Sequence, residues 1–484
     1  MNPRAVAFVS APLLGIVAAT MLAPLGLAVY DREWRSALAY LGSALICALV
    51  ALVLRRVGRT QDEQVHRKDA IWVVVIVWTL MGVFGGLPFV LEGVLKPTAA
   101  LFEAFSGFTT TGATVVGDIE SLSRATNFWR CEMHWIGGMG IVVLFVAVFP
   151  QLGVGAKQLF RTEVPGPNPE GLRPKIRQTA TALWWIYGGL TALCTILMFV
   201  AGMPLFEAIC HAMSTLGTGG YSPRAASIGH YQSPLIDWIT AAFMLIAGLN
   251  FALYYAMARG RWKAVLEDPE TRFYLGFNLL IIAVVAVSIW FQQAGRHATV
   301  FETLRHSTFQ TLAVTTTTGF MTEDFDTYPE VARYLLFLAM FVGGCAGSTA
   351  GGIKAIRVLL LFKVAAREIR SLASPNVIAT IKSGSQAIPL RVTTSVLVFV
   401  VTYMLIFAFT SLFLVFLKLD LVSAMSATVA CLSSVGPGLE SVGPAQNFAG
   451  VPPVGKLALC ACMLAGRLEI FVLLSIFSGS LRKR

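Results

Sequence analysis

Residues 101–114 read LFEAFSGFTTTGAT, an amphipathic run that ends in three threonines and a glycine. A transmembrane helix needs about 20 apolar residues, so this run predicts a short helix that enters the membrane and returns. Irregular backbone at membrane depth is tolerated only where it is buried in protein or lines a water-filled path. Taken alone, the stretch has a second interpretation, because Thr and Gly also serve as helix-packing residues in membranes.

The same design recurs three more times along the chain. Each copy begins with an apolar residue near an acid (Glu103, Glu207, Glu302 or Asp420), continues as a short helix, and ends in small or hydroxyl residues and a glycine. The period is about 100 residues, which identifies an internal repeat. The other three copies are 204–222, PLFEAICHAMSTLGTGGYS; 300–320, VFETLRHSTFQTLAVTTTTGF; and 419–439, LDLVSAMSATVACLSSVGPGL.

Four extended segments at corresponding positions predict a pore whose lining is backbone carbonyls. Carbonyl rings replace the hydration shell of a cation, and glycine reaches positive φ there without a Cβ penalty. In the second copy Gly219 and Gly220 are both candidates, and the alignment of the preceding helices favours Gly220. The predicted filter residues are Thr110, Thr111, Gly112, Thr218, Gly219, Gly220, Thr317, Thr318, Gly319, Ser434, Val435 and Gly436.

Composition places the chain in a membrane. Of its 484 residues 56% are hydrophobic and 13% charged, and the mean hydropathy is +0.71, which excludes a soluble globule. The 8 cysteines form no CxxC pair, so neither a disulfide framework nor a thiolate metal site is expected. The net charge of +11 is spread over short segments between apolar runs, which favours membrane topology over nucleic-acid binding.

Hydropathy predicts ten full spans. The first is interpreted as an uncleaved span rather than a signal peptide, because its apolar run is long. Most Lys and Arg residues fall in the connections on the side of the N-terminus, so both termini are predicted to be cytoplasmic and the four re-entrant helices to face outward. The predicted spans are 5–30, 36–54, 70–91, 127–149, 179–202, 235–257, 273–292, 332–362, 392–416 and 455–478, and the re-entrant helices are 99–109, 205–215, 302–314 and 421–432.

The predicted fold is an all-α polytopic membrane protein with four span, pore-helix, span repeats around a pseudo-four-fold pore. An N-terminal pair of spans (1–68) precedes the repeats, which cover 69–177, 178–271, 272–391 and 392–484. Acidic residues follow several filter segments and are interpreted either as ordinary solvated loops or as a mouth that concentrates cations. These acids are Asp118, Glu120, Glu323, Asp324, Asp326 and Glu440.

Two features in the last spans suggest a gate. Glycine costs about 1 kcal/mol per helix position relative to alanine, and the eighth span holds Gly343, Gly344, Gly347, Ser348, Thr349, Gly351 and Gly352. The stretch is either a small-residue packing face or a helix broken by a loop under the filter.

Arg467 lies inside the tenth span, where a charge is costly. It either pairs with Glu469 or snorkels, or it lies near the pore axis. His134 in the fourth span is interpreted as a packing residue, and no catalytic motif is present, so no enzyme activity and no catalytic residues are expected.

The motifs TTTGAT, STLGTGGYS, TTTTGF and SSVGPGL, together with the repeat and the extra N-terminal spans, resemble the TrkH/TrkG-type membrane subunits of the Trk/Ktr/HKT superfamily of potassium transporters. The resemblance covers essentially the whole chain. It implies K+ uptake across the bacterial inner membrane, a homodimer with one pore per subunit, and a cytoplasmic TrkA-type subunit that carries the nucleotide. It also implies an intramembrane loop with an arginine close to it, the positions that Gly343–Gly352 and Arg467 would occupy here.

The resemblance also indicates which residues hold the ion. They are Thr111, Gly112, Gly219, Gly220, Thr318, Gly319, Val435 and Gly436, with K+ as the transported ion and no covalent cofactor. A Na+-permeable relative would carry serine at the first filter glycine, so Gly112 argues against it; H+- or Na+-coupled symport stays open. The sequence departs from the family's filter pattern at two places: Gly217 stands before Thr218 in the second segment, and the fourth segment ends in Gly436-Pro437-Gly438 and has no threonine.

Overall fold

Helices dominate the computed structural model, which describes residues 3–58, 67–147, 172–293, 295–373, 382–383 and 386–475. The first helices are α1 (Pro3–Thr20), α2 (Leu22–Tyr30), α3 (Trp34–Val57), α4 (Arg67–Gly85), α5 (Leu87–Leu91), α6 (Pro97–Phe108), α7 (Arg124–Ala147), α8 (Leu172–Val200), α9 (Leu205–Gly217), α10 (Pro234–Ala247), α11 (Phe251–Ala258) and α12 (Lys263–Glu267). The remaining helices are α13 (Pro269–Gln292), α14 (Val300–Thr315), α15 (Glu330–Ala339), α16 (Ala355–Ala373), α17 (Leu390–Phe416), α18 (Leu421–Leu432), α19 (Pro453–Arg467) and α20 (Ile470–Ser475).

Short elements complete the described chain. Strands β1 (Lys382–Ser383) and β2 (Gln386–Ala387) pair antiparallel, with Lys382 opposite Ala387. Single 3-10 turns lie between the long helices at Ser227–Tyr231, Phe325–Thr327, Glu440–Val442 and Phe448–Gly450.

Four structural units follow the N-terminal helices α1–α3, each with the order helix, short pore helix, extended segment, helix. Unit one is α4–α7, unit two is α8–α11, unit three is α13–α16 and unit four is α17–α20. The all-α fold with buried short helices is the predicted fold class. The boundaries between the repeats stay a prediction.

The pore helices are largely buried, whereas three of the four helices that precede them, α8, α13 and α17, are mostly exposed. In α18, every residue from Ser423 to Leu432 except Met425 is buried, but only 22% of the apolar window of α8 and 22% of that of α17 is buried. Exposed apolar side chains on a long helix are stable only against lipid. The outer helices therefore form an apolar wall around a buried ring of pore helices.

Three predicted spans are not continuous helices. The span predicted at 235–257 is wrong as a single helix, since α10 and α11 meet at 93° across a break at Gly248–Asn250. The span at 332–362 is interrupted between α15 and α16, and the span at 455–478 breaks after Arg467, where Glu469 adopts φ 60°.

The predicted count of ten spans is not confirmed. By length and composition, six stretches of the described chain can cross a membrane, or seven if the bent pair counts as one. The six are Pro3–Tyr30, Trp34–Val57, Ile71–Leu91, Thr179–Val200, Pro269–Gln292 and Leu390–Phe416.

Local sequence explains where the pore helices begin. Pro97 stands at the first position of α6, where its missing N–H costs nothing. The Thr299 hydroxyl accepts the Glu302 N–H at 3.1 Å to cap α14, and the Asp420 carboxylate accepts the Ser423 N–H at 2.8 Å to cap α18. The acids Glu302 and Asp420 thus lie at helix N-termini, where negative charge is favourable.

Glu103, the acid of the first pore helix, has a different partner. Its carboxylate accepts from Arg130 Nε of α7 at 2.9 Å, and the exposed fractions of the two side chains are 0% and 1%. The guanidinium lies 4.2 Å from the Tyr221 ring centroid and reaches the Ser222 carbonyl at 3.3 Å. This buried ion pair joins the first pore helix to α7, and through Arg130 it connects unit one to unit two.

We predict that Arg130→Met lowers stability far more than Arg124→Ala. Removing one partner of a buried pair leaves an uncompensated charge and costs about 3–5 kcal/mol. The Arg124–Asp31 pair is 48% and 17% exposed, and such pairs contribute about 0–1 kcal/mol. The measurement is the apparent unfolding temperature of the purified protein in detergent, followed by tryptophan fluorescence. Equal losses in the two variants would show that the buried pair does not hold unit one to unit two.

Candidate functional site

All four pore helices end in the same backbone motif. A left-handed residue lies one or two positions after the last helical residue, with φ of 54° at Thr110, 53° at Thr218, 56° at Thr317 and 59° at Ser434. The next residue donates its N–H five residues back, and these bonds are Thr111 to Ser106 (2.8 Å), Gly219 to Ser214 (2.9 Å), Thr318 to Ala313 (2.9 Å) and Val435 to Ala430 (2.8 Å). This is a Schellman termination. It turns the chain out of each helix in the same direction.

A second positive φ follows two residues later in each segment. It is 82° at Gly112, 79° at Gly220, 74° at Gly319 and 99° at Gly436. The equivalent of Gly112 in unit two is therefore Gly220, and Gly219 takes the middle position with Thr111, Thr318 and Val435. We name residues 110–112, 218–220, 317–319 and 434–436 the filter segments.

The filter segments close a ring. A Cβ built on each filter glycine would collide with the middle carbonyl oxygen of the next segment. These distances are 1.9 Å from Gly112 to Gly219 O, 2.0 Å from Gly220 to Thr318 O, 2.1 Å from Gly319 to Val435 O and 2.6 Å from Gly436 to Thr111 O. Each glycine contacts the following segment, and the fourth returns to the first. The pseudo-four-fold arrangement therefore depends on a missing side chain at four positions.

Solvent accessibility is similar in units one to three and differs in unit four. In every filter segment the first two residues are buried. Gly112, Gly220 and Gly319 are partly exposed, whereas Gly436 is buried and Pro437 after it is partly exposed. Three of the four filter glycines thus border an open space.

The threonine hydroxyls in the middle positions bond within their own unit. Thr111 Oγ1 lies 2.8 Å from Thr109 Oγ1, and Thr318 Oγ1 lies 2.7 Å from Thr316 Oγ1. Units two and four have Gly219 and Val435 at this position, so this pairing is absent there. What all four middle positions share is the backbone carbonyl that faces the ring. The absence of a middle hydroxyl in units two and four therefore leaves this lining unchanged.

His134 occupies the space that a side chain at 219 would need. A Cβ on Gly219 would lie 2.3 Å from the imidazole, which stacks on Tyr221 with ring centroids 4.1 Å apart. His134 Nδ1 accepts from the Tyr221 N–H at 3.4 Å. His134 is thus a packing residue behind the second filter segment, as the sequence indicates.

The stretch between α15 and α16, residues 340–354, is a loop held directly against the filter segments. The Gly351 N–H donates to Thr317 Oγ1 at 2.7 Å, and a Cβ on Gly351 would lie 2.0 Å from the Ser433 carbonyl oxygen. The interpretation of Gly343, Gly347 and Gly351 as one helical packing face is wrong, because this stretch is not helical. We call residues 340–354 the intramembrane loop.

The base of the loop is fastened to units two and three. The Cys345 N–H donates to the Gly248 carbonyl at 2.8 Å, at the bend between α10 and α11. Glu270 Oε1 accepts from the N–H groups of Ala346 (2.7 Å) and Ile356 (3.0 Å), one on each side of the loop tip. The role of Glu270 was not predicted from the sequence, where the residue is recognisable only as an acid in the first turn of an apolar span.

Arg467 contacts the same loop. Its Nη1 donates to the Thr349 carbonyl at 2.7 Å and its Nη2 to the Gly137 carbonyl at 2.9 Å, and the residue is 3% exposed. Pairing with Glu469 is ruled out, since Glu469 bonds to Arg357 at 2.5 Å. Snorkelling is likewise wrong, because the guanidinium is buried among backbone carbonyls.

Several outer acidic residues are paired with arginines. Arg333 bonds to Asp326 at 2.8 Å and to Glu440 at 2.6 Å, which joins units three and four, and it also bonds to Glu330 at 2.9 Å. Glu323 pairs with Arg296 at 3.4 Å. Burial tends to raise the pKa of Glu323, but the Tyr328 hydrogen bond and nearby cationic groups hold that pKa below its ordinary value. Because one arginine faces three carboxylates, the ion pairs reduce the negative charge of this surface without removing it.

Known proteins share this fold and sequence. The family model described as TrkH, cation transport protein, matches residues 40–482. The chain is 39% identical over 482 residues to the Trk system potassium uptake protein TrkH of Salmonella typhimurium, with 99% of each chain covered. It is 33% identical over 474 residues to the Trk system potassium uptake protein TrkG of Escherichia coli, with 96% of each covered.

A solved structure agrees over the full length. The crystal structure of the potassium transporter TrkH from Vibrio parahaemolyticus superposes with a TM-score of 0.91 at 36% identity, and all of both chains is covered. The family match, these identities and the shared fold lead to one conclusion: the chain is a multi-pass membrane protein that belongs to the TrkH family of cation transport proteins.

Proposed function

We propose that this protein takes up K+ across the bacterial inner membrane through the ring of four filter segments. The closed cycle of glycine-to-carbonyl contacts carries the proposal, because it brings four backbone strands to one axis. Its relatives are named potassium uptake proteins. Rb+ uptake into liposomes containing the purified protein, with Na+ as competitor, tests the proposal; no uptake, or equal competition by Na+, would contradict it.

The ion is held by backbone oxygens of the middle residues and the glycines. These are Thr111, Gly112, Gly219, Gly220, Thr318, Gly319, Val435 and Gly436. Two observations support this assignment: the middle hydroxyls of units one and three are bonded elsewhere, and units two and four have no hydroxyl at the middle position. Carbonyl oxygens at fixed spacing replace the hydration shell of a monovalent cation.

The intramembrane loop and Arg467 form the gate. Gly351 touches filter segments three and four, so the loop obstructs the path beneath the ring. Arg467 holds the loop through the Thr349 carbonyl and adds a positive charge at low local dielectric. Both the obstruction and the charge oppose a cation that leaves the filter.

We infer the membrane orientation, the oligomeric state and the partner subunit from the family. We place both termini in the cytoplasm, the apolar outer helices in lipid, and a homodimer with one pore per subunit in the membrane. A cytoplasmic TrkA-type subunit that carries the nucleotide docks on the basic segments Arg161–Arg177 and Lys363–Arg391. Residues 161–171, 374–381 and 384–385 of these segments lie outside the described residues, whereas α16 presents Lys363, Arg367 and Arg370 near its C-terminal end.

Gly112→Ser is expected to lower K+ over Na+ discrimination by about tenfold, which corresponds to ~1.4 kcal/mol. A Cβ at Gly112 displaces the Gly219 carbonyl, and φ of 82° strains any L side chain. Gly117→Ser is the matched control, because nothing lies within 4 Å of its Cβ position. Rb+ uptake against Na+ measures the ratio.

The same assay ranks the four filter positions. Substitutions at Gly220 and Gly319 should act like Gly112→Ser, and Gly436→Ser should act least, since its nearest carbonyl is 2.6 Å away. Unchanged discrimination at all four positions would refute the filter assignment.

Arg467→Ala is expected to raise Rb+ flux without the partner subunit by about tenfold, the effect of lowering a barrier by ~1.4 kcal/mol. Deleting residues 346–350 should also raise it, while the Gly343 N–H to Ile353 carbonyl bond at 3.0 Å can still close the base of the loop. Arg467→Lys keeps the positive charge but cannot donate to the Thr349 and Gly137 carbonyls with the planar geometry of arginine. If the flux of this variant stays low, the increase in Arg467→Ala is due to loss of the charge.

Size-exclusion chromatography verifies that each gate variant is folded. A folded deletion variant whose flux stays the same or falls would remove the loop from the gate.

Neutralising the basic residues of both cytoplasmic segments is expected to weaken binding of the cognate TrkA-type subunit by about tenfold or more, because charged docking surfaces lose affinity with their charge. Neutralising Lys96, Arg124 and Lys418, which lie on the opposite side, is the control. A pull-down that is unaffected by the cytoplasmic changes would place the docking surface elsewhere.

A further inference from the structure

Three potential metal ligands meet beside filter segment three. His297 lies in the connection before α14, His306 lies on α14, and Glu323 follows Gly319 by four residues. One ligand atom from each lies within 4.8 Å of the others. The two imidazole rings are stacked with centroids 5.1 Å apart and planes at 18°.

His297 lies between Thr303 and Glu323. Its Nδ1 is 3.1 Å from Thr303 Oγ1, and its Nε2 is 3.3 Å from Glu323 Oε2, which also lies 3.4 Å from Arg296 Nη2. In the tautomer with Nδ1–H on Thr303, Nε2 directs a lone pair at Glu323. A metal cation between these two atoms then takes the place of the Nε2 proton that joins them in the metal-free pair.

His306 is arranged in the same way. Its Nε2 lies 2.9 Å from Arg305 Nη2, which can only donate, and its Nδ1 lies 2.9 Å from Thr322 Oγ1. Arg305 also faces Asp237 at 3.4 Å and Glu302 at 3.8 Å. It therefore keeps two carboxylate partners when His306 Nε2 binds a metal instead. His306 thus places Nδ1–H on a threonine hydroxyl, and His297 can adopt the same tautomer. That outer-shell bond is typical of metal-binding histidines. Metal binding through His306 Nε2 requires Arg305 to move away from that atom.

We propose that His297, His306 and Glu323 form a binding site for a divalent transition-metal ion of the zinc class. Two imidazoles and one carboxylate with an open fourth position are a ligand set that zinc takes, whereas K+ and Mg2+ prefer oxygen. Zinc bonds of about 2.0–2.2 Å require the ligand atoms to draw closer together. Glu323 and His306 are only partly buried, which leaves room for that movement.

The site lies at the mouth of the proposed pore. Gln310 Nε2 of pore helix α14 donates to the Glu323 carbonyl at 2.9 Å, so the cluster is attached to the helix that carries filter segment three. A bound divalent cation adds positive charge there and repels monovalent cations. We therefore expect zinc to inhibit uptake, a consequence that rests on the proposed function.

Zn2+ titration of the purified full-length protein by isothermal calorimetry tests the site, with Co2+ absorption spectra as a second readout. His297→Gln with His306→Gln should weaken binding by at least about 10–100-fold, the loss seen when even an outer-shell partner is removed. The control is His230→Gln, an exposed histidine on the 3-10 turn of unit two. His306→Cys replaces one zinc ligand with another and should retain binding.

Equal Zn2+ affinity in the wild type and the double variant, or no Zn2+ binding by the wild type, would overturn the site. Rb+ uptake with external Zn2+, with each variant normalised to its own zinc-free rate, then tests inhibition. Binding without inhibition upholds the site and overturns its effect on transport. Absence of Rb+ uptake would contradict the proposed function and leave the metal site standing.

Discussion

The architecture depends on one steric constraint, the approach of four glycine Cα atoms to the carbonyl oxygens of their neighbours. A methyl group at any of these positions would lie 1.9–2.6 Å from such an oxygen, well inside van der Waals contact. The pore helices, their identical terminations and the buried pairs behind them all serve to hold this contact. The Schellman turns set the direction of each segment, and left-handed Thr and Ser residues carry backbone strain that surrounding packing must offset.

The ring is less uniform than its symmetry suggests. In units one and three the middle threonine bonds to a neighbouring hydroxyl. In unit two the middle residue is Gly219, and the His134 ring fills the space that its side chain would need. In unit four the middle residue is Val435, and Gly436 makes the longest of the four glycine-to-carbonyl contacts. These differences all lie behind the carbonyl surface. Divergence among the repeats is thus compatible with a common lining, because the proposed ion contacts are backbone carbonyls and not side chains.

The sequence predicted four copies of a Thr/Gly segment, because each copy has a dense local signature. It left the eighth span as either a packing face or an interrupted helix, and it favoured Gly220 over Gly219 without excluding Gly219, since only backbone conformation separates two adjacent glycines. The bend at Gly248–Asn250 was missed because a single glycine is tolerated in a membrane helix. The partners of Arg467, and the meeting of His297 with Glu323, arise from contacts distant in sequence and have no local pattern.

In the proposed mechanism, one ion site is bounded by all four filter segments. Anomalous diffraction from crystals of this protein grown with Rb+ would locate that site. An anomalous peak is expected on the axis, within coordination distance of oxygens from the segments of Gly112, Gly220, Gly319 and Gly436. If the protein transports Rb+ but the peak lies away from this ring, or is bounded by fewer than four segments, the ring is not the ion site.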